Sequence, residues 1–335
     1  LVTGLADAQI DSTPMVCITG QVASNLLGSD AFQETDIVGI STPVTKWNHQ
    51  VTKASDIPKV LAKAFYIAKS GRPGPVLIDI TKDAQFEMFD FKYSKVTGIR
   101  SYKPVPKLDI SNLSLAADLI NNALKPMIVW GQGVILSEAE KEFKDFVEKT
   151  GIPAAWTIMG VSAIPTSHPL NVGMVGMHGN YAPNMLTNEC DLLIAIGMRF
   201  DDRVTGNLDK YAKQAKIIHF EIDPAEINKN VKVDIPVLGD AKESLTKILP
   251  LLKSRTHDDW LSDFKKLYDI EYDSVIKDDL FPTKEGLTMG EVLKEINIFT
   301  KGDAAIVSDV GVAKLLQEYT SIDLHVSTQA SVTNV

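Results

Sequence analysis

The run Leu192-Leu193-Ile194-Ala195-Ile196-Gly197-Met198, followed by Arg199-Phe200-Asp201-Asp202-Arg203-Val204-Thr205-Gly206, decides how the chain is read. An unbroken apolar run closed by glycine marks a strand buried on both faces, as in a parallel sheet. In an open α/β sheet the carboxyl ends of such strands face the ligand crevice. Two arginines and two aspartates set there can grip an anion and steady one another, because a guanidinium forks onto phosphate or carboxylate. Placed elsewhere on a surface, the same four charges would read as weak, solvated ion pairs.

The same rhythm repeats on both sides of this run. Strands are expected over 126–130, 153–158, 191–198, 216–221 and 236–238, with helices near 113–123, 137–149, 181–187 and 241–252. That alternation describes a doubly wound parallel unit. Upstream, strands over 15–19 and 75–80 flank a helix over 56–69, where Val60, Leu61, Ala64 and Ile67 share one face and Asp56 is placed to cap the start. Between 89 and 106 the periodicity weakens, and Lys92, Lys95, Lys103, Pro104 and Pro106 mark a linker. The segment 253–284 is charged and helical, with Trp260, Phe264 and Tyr268 at i, i+4 and i+8. A stripe packed on a core is the expected use of that row, ahead of a nucleotide platform. A helix over 289–299 and a strand over 304–308 open a third βα series. Leu1 already stands inside a helical pattern, which suggests a chain entered part-way through a domain.

The 335 residues suggest about two domains, and 44% hydrophobic content allows a sizeable core. A net charge of −9 argues against nucleic acid as a partner. No apolar run reaches the length of a membrane span and no signal peptide is visible, so a cytoplasmic protein is expected. Cys17 and Cys190 adjoin apolar strand-like runs and are expected as free, buried thiols. The two cysteines and six histidines are scattered, so zinc and serine-hydrolase chemistry fit poorly and no metal ligands are assigned.

Gly131-Gln132-Gly133 closes the strand over 126–130 ahead of a helix expected at Ser137. Glycines there suit either a plain tight turn or the approach of backbone amides to a pyrophosphate. The usual dinucleotide pattern also wants a third glycine and an acidic residue about 20 positions on. Neither is present; Glu221 ends a later strand. His178, in Gly176-Met177-His178-Gly179, has little side-chain cover from its neighbours, which suits a ligand-facing loop. Arg72 and Lys82 flank the strand over 75–80; taken alone, they would be solvated charges.

Taken together, the segment 190–206, the block Leu5-Ala6-Asp7-Ala8-Gln9-Ile10-Asp11-Ser12-Thr13-Pro14-Met15-Val16-Cys17-Ile18-Thr19-Gly20-Gln21-Val22, the run Gly28-Ser29-Asp30-Ala31-Phe32-Gln33-Glu34 and Gly176-Met177-His178-Gly179 resemble the acetolactate synthase (acetohydroxyacid synthase) catalytic-subunit family. These are thiamine diphosphate enzymes that also carry FAD. The resemblance runs from about Leu1 to Gly311. It implies a thiamine diphosphate-enzyme architecture of doubly wound parallel-sheet domains: 1–92, the C-terminal part of a pyrimidine-binding domain; 93–106, a linker; 107–255, a central FAD-binding domain; 256–284, a helical linker; and 285–335, the start of a diphosphate-binding domain.

By that resemblance FAD would touch Arg72, Gly131, Gln132, Gly133, Thr157, Val175, Gly176, Met177, His178, Gly197, Arg199, Asp201, Arg203, Val204, Glu221, Ile222, Asp240 and Ala241. Ala31, Phe32 and Gln33 would border the thiamine and substrate pocket of a neighbouring subunit, Lys82 the substrate channel, and Met177 the thiamine site. Arg203 would receive the carboxylate of the second 2-keto acid. Ala23 stands where many members carry proline, at the channel mouth where the family's herbicides bind.

The implied activity decarboxylates pyruvate and joins the two-carbon unit to a second pyruvate or to 2-ketobutyrate, in branched-chain amino-acid biosynthesis. Thiamine diphosphate, Mg²⁺ and FAD would be the cofactors, and a homodimer or homotetramer, with a possible regulatory small subunit, the assembly. Glyoxylate carboligase or pyruvate oxidase chemistry, and a non-catalytic FAD-binding remnant, are the competing readings. The family's activating Glu belongs upstream of the block matching Leu1. Its Gly-Asp-Gly metal motif occurs nowhere in the sequence, and the likeness is lost from Val312 onward. The 335 residues alone are therefore expected to lack acetolactate synthase activity.

Overall fold

The computed structural model describes residues 1–93, 95–283 and 286–301. The strand expected over 304–308 and the tail from Val312 lie outside them. The chain divides into two compact units, Leu1–Val105 and Pro106–Val335.

In the first unit α1 (Val2–Ile10) leads into β1 (Met15–Gln21), α2 (Ile37–Ser41), β2 (Trp47–Val51), α3 (Ile57–Lys69), β3 (Pro75–Thr81) and α4 (Lys82–Phe86). The three strands are parallel in the order β1-β3-β2, so the most apolar strand of this unit is central and buried along its whole length. Val60, Ala64 and Ile67 of α3 pack on Val76, Ile78 and Ile80, the stripe that the spacing predicts. Asp56 does precede α3, but its side chain makes no cap hydrogen bond. A turn of 3-10 helix over Ala54–Asp56 puts Asp56 at φ −87° and ψ −20°, not in the extended conformation a side-chain cap needs.

In the second unit α5 (Ile110–Asn122) leads into β4 (Pro126–Trp130), α6 (Gln132–Leu136), α7 (Glu140–Thr150), β5 (Ala154–Trp156), β6 (Asn171–Met174), α8 (Tyr181–Leu186), β7 (Leu192–Ile196), α9 (Asp202–Thr205), β8 (Lys216–Glu221), β9 (Ile235–Leu238) and α10 (Ala241–Ile248). Then come α11 (Asp258–Glu271), α12 (Lys277–Leu280) and α13 (Met289–Thr300). Six parallel strands run in the order β6-β5-β4-β7-β8-β9. The chain builds outward from β4 on one side, returns to the centre at β7 and builds outward on the other. This is the doubly wound dinucleotide order, and its switch point lies between β4 and β7.

The sheet is covered on both faces, which is why β4 and β7 read as unbroken apolar runs. Trp130, Phe143, Phe146, Ile194 and Phe220 lie in one core, and Met127, Leu193, Met198 and Phe200 in the other. Trp260 and Phe264 of α11 join the second core, with the Trp260 indole N–H donating to the Pro126 carbonyl at 2.9 Å, while Tyr268 is exposed. The helix expected from Ser137 begins instead at Glu140. Glu138 takes a left-handed φ of +53° and separates α6 from α7, so Ser137 ends one helix rather than starting another.

Candidate functional site

The carboxyl ends of the six strands form one rim, and the backbone itself laces it. Gly131 N–H donates to Ile196 O, Thr157 N–H to Trp130 O, Val175 N–H to Trp156 O, Gly197 N–H to Phe220 O and Gly239 N–H to Glu221 O, all at 2.9–3.0 Å. Each bond carries the sheet ladder past the end of a strand, so the turns that follow start from fixed positions. At the switch point the fit is tighter still. A Cβ on Gly133 would sit 2.6 Å from Gly197 Cα, and one on Gly131 would sit 2.6 Å from Gly197 O. Gly197 itself lies at φ +58°.

That contact shows what the turn itself needs from Gly131-Gln132-Gly133. The glycines are required by the neighbouring turn, and their amides already donate within the protein, Gly133 to Gly197 O at 2.9 Å. Toward a ligand they would offer open backbone rather than donated bonds.

The charged block after β7 folds as a turn around Asp201. Its carboxylate accepts from Arg203 N–H at 3.0 Å and Val204 N–H at 3.2 Å, capping α9. Its other oxygen is 3.6 Å from Arg199 Nη2, with both side chains roughly 30% exposed. The structure therefore brings Arg199 and Asp201 together, while Arg203 turns to Met177, its Nη1 being 3.8 Å from Sδ.

The loop after β6 docks on that same turn. Met177 N–H donates to Arg203 O at 2.7 Å, and Asn184 closes the loop by a reciprocal pair with Gly176 N–H and O, both 2.8 Å. Gly176, at φ +112°, leaves no room for a Cβ, which would meet Arg203 O at 2.7 Å. Met177 and His178 are exposed at the loop tip.

Glu221 ends β8 with its side chain 8% exposed, and Oε1 accepts from Ile222 N–H at 2.9 Å and Asp223 N–H at 3.0 Å. Asp240 caps α10 through Glu243 N–H at 3.0 Å, with Ala241 as the first helical residue. Every residue expected in the second unit thus lies at the carboxyl end of a strand of one sheet.

Sequence reasoning passed over His219, which is fully buried on β8 and whose Nε2 donates to Met198 O at 2.9 Å. Burial pulls its pKa down to about 4, against the raising effects of that hydrogen bond and of Glu226. The available signal was a lone histidine inside an apolar strand. Cys190 is buried with its thiol pushed up to about 12 by desolvation, so no nucleophile is made there, while Cys17 is only partly buried.

In the first unit Ala31, Phe32 and Gln33 sit on the loop between β1 and α2. Phe32 is 89% exposed and Gln33 adopts φ +62°. Glu34 organises this loop, its carboxylate accepting from the amides of Gly28, Ser29 and Ala31. Gln21 fastens both ends of it, accepting from Val22 N–H at 2.9 Å and donating to Thr35 O at 2.8 Å. Beneath lies buried Asp79, which accepts from Thr19 Oγ1 (2.8 Å), Gln50 Nε2 (2.9 Å) and Gln21 Nε2 (3.3 Å). Lys82 opens α4, whose Asp83 holds Ser24 N–H at 2.9 Å. Arg72 donates from Nε to Ser12 Oγ at 2.9 Å and from Nη2 to Ile10 O at 3.3 Å.

Among the described residues no group of three or more His, Cys, Asp or Glu side chains could hold a metal ion, and no helix is long and apolar enough to cross a membrane.

Comparison with known proteins adds identity to this geometry. Residues 113–248 match the family described as thiamine pyrophosphate enzyme, central domain, and residues 275–335 match peptidase family U32. The acetolactate synthase large subunit of Corynebacterium glutamicum is 48% identical over 290 residues, which are 84% of this chain and 46% of that protein. An acetolactate synthase of Mycobacterium leprae is 44% identical over 90% of this chain and 50% of its own length. The large subunit from Buchnera aphidicola (subsp. Acyrthosiphon pisum) is 41% identical over 92% and 54%. The chain spans about half the length of the curated relatives it matches.

Proposed function

We propose that this homologue of acetolactate synthase large subunits is a substantial part of such an enzyme, which joins two 2-keto acids after decarboxylating the first. One observation carries the reading: the second unit's expected cofactor contacts all fall at the strand ends of one dinucleotide-order sheet, around its switch point. The donor set fits FAD. Arg199 offers a guanidinium for phosphate, and Glu221 offers a buried carboxylate at a strand end, the acceptor a ribose diol needs. Met177 and His178 stand exposed on a loop fixed to the Arg203 turn, where a flavin ring would lie.

In this reading FAD is structural, since the condensation has no net redox step. Thiamine diphosphate supplies the electron sink that decarboxylation of a 2-keto acid requires. The chain's own part is to place and neutralise. Arg203 binds the carboxylate of the acceptor keto acid, which is pyruvate or 2-ketobutyrate. Phe32, Gln33 and Lys82 border the channel. Residues 1–92 form part of the pyrimidine-binding domain, 107–255 the FAD domain, 256–284 a helical linker and 285–335 the start of the diphosphate domain. Mg²⁺ is assigned to no residue here. A homodimer or homotetramer in the cytoplasm, with a regulatory small subunit, completes the proposal; the relatives' description as large subunits supports that last partner.

Titrating the purified 335-residue chain with FAD tests the site: quenching of flavin fluorescence should saturate. A linear response up to high micromolar FAD would remove the dinucleotide reading. A product assay with pyruvate and 2-ketobutyrate, on a full-length enzyme carrying this sequence, tests the activity.

A further inference from the structure

His219 occupies a position that packing alone would fill with an apolar side chain. Along β8 the side chains alternate, Ile218 and Phe220 facing one core while His219 and Glu221 face the other way. Beside His219 lie Phe200, with ring centroids 5.0 Å apart, and Met198. A carbonyl can only accept, so the 2.9 Å contact with Met198 O places a proton on Nε2. Nδ1 is then a buried lone pair without a partner among the described residues. Such an atom is unfavourable in a core unless the ring does something an apolar residue cannot.

The ring joins two strand ends. Met198 lies between Gly197, fixed at the switch point, and Arg199. The same Nε2 is also 3.6 Å from Glu221 Oε2, while Oε1 is held by the amides of Ile222 and Asp223. One N–H thus faces the turn that carries Arg199 and the carboxylate that ends the next strand. Because the imidazole is neutral, its 3.6 Å approach leaves the charge of Glu221 uncancelled.

We infer that His219 is a positioning residue of the dinucleotide site, fixing the Arg199 turn and the Glu221 carboxylate relative to each other through its Nε2–H. The inference rests on the FAD reading above. It assigns to an interior side chain the spacing between the group that meets phosphate and the group that meets ribose.

The donor's position on the ring sets the test. In H219Q the amide nitrogen can take the place of Nε2, whereas in H219N the donor stops one bond short. The full chain and both variants are titrated with FAD by flavin fluorescence, and each is melted without FAD. H219Q should bind within about threefold of the parent, while H219N should bind roughly tenfold or more weakly, a factor of ten being 1.4 kcal/mol. The FAD-free melting temperatures of the two variants should agree. Should H219N fail to fold, H219M, which fills the space without a donor, takes its place with the same expectation. Equal affinity of the parent and the donor-less variant overturns the inference, as does equal weakening in H219Q and H219N, which would mean packing alone. No saturable binding by the parent overturns the dinucleotide reading, and the inference with it.

Discussion

The two units hold their candidate ligand-facing residues by different means. Around the six-stranded sheet the switch point is held by backbone: ladder bonds continued past the strands, and turns pressed together at Gly131, Gly133, Gly176 and Gly197, with Asp201, Asn184 and Glu221 fastening the loops around it. Around the three-stranded sheet it is done by side chains: Glu34 gathers three amides, Gln21 fastens both loop ends and Asp83 holds Ser24. Backbone packing ignores pH but rejects any added atom. A carboxylate scaffold accepts added atoms but depends on its charge. Each half of that contrast can be broken by experiment.

The largest effect should come from adding one methyl at the switch point. Gly197→Ala combines a left-handed φ of +58° with a Cβ that would meet Gly133 Cα at 2.6 Å. Left-handed strain of about 1–2 kcal/mol and overpacking of about 1–3 kcal/mol together predict a loss of about 4 kcal/mol. In the first unit Gly28 has a similar φ of +76° and nothing within 4 Å of its Cβ, so Gly28→Ala should lose only the strain, about 1 kcal/mol. Urea titrations followed by circular dichroism compare the two. Equal losses would erase the difference between the rim and the loop.

His219 offers the next test, because it is a fully buried titratable group in the rim's support. Its folded pKa, about 4, lies below the ordinary 6.5, so between those values the unfolded chain binds the proton and the folded chain does not. Stability is therefore complete above pH 6.5 and falls as pH drops toward 4, by about 3 kcal/mol from this residue. The Met198 carbonyl and Glu226 both favour the charged ring, but burial outweighs them. Melting at pH 7.5 and pH 5 should show a smaller acid penalty for His219→Gln than for the parent. An identical penalty would place the acid sensitivity elsewhere.

The sequence made legible what burial on both faces dictates. β4 is a continuous apolar run and β8 carries Ile217, Ile218 and Phe220 into the cores, and both have the bounds that the sequence predicts. β2 was not foreseen, because Trp47-Asn48-His49-Gln50-Val51 is a short strand with polar centres, shaped by pairing with β3. β6 was hidden by Gly173 and by its pairing only to the short β5. At the site, the charged block after β7 announced itself, yet which charges meet did not follow from spacing. Asp201 serves a helix cap and Arg199, while Arg203 goes to a methionine 26 residues away. His219 escaped because a lone histidine in a strand carries no pattern; only the Met198 carbonyl and Glu221 give it meaning.

Arg203→Lys, in a full-length enzyme carrying this sequence, tests whether the backbone-held rim also orients substrate. Lysine keeps the charge and loses the fork, so use of the acceptor keto acid should weaken by about 1–3 kcal/mol. The preference for 2-ketobutyrate over pyruvate should fall, measured by product ratio under competition. Unchanged ratio and rate together would remove Arg203 from the substrate site.

The smallest effect, and the one most confined to the loop, should follow Glu34→Gln. Backbone hydrogen bonds, that of Gly28 first, hold the Glu34 carboxyl below the usual range, so its ordering of the loop is present at neutral pH and lost as pH falls through that lowered value. Glutamine is close to glutamate in shape but lacks the charge that strengthens amide-to-carboxylate bonds. The side chain is only partly buried on a surface loop, so the effect should be local: faster hydrogen exchange at Gly28, Ser29 and Ala31 at pH 7, with rim amides such as Gly131 and Gly197 unchanged and the melting temperature preserved. In the parent, lowering the pH through the depressed pKa of Glu34 should reproduce the same local loosening, after correction for the intrinsic pH dependence of exchange. If the three amides exchange alike in both proteins at pH 7, the carboxylate is not what orders the segment carrying Phe32 and Gln33. The contrast would then fail on its side-chain half, leaving the loop to be held by Gln21 and Ser24 at its ends.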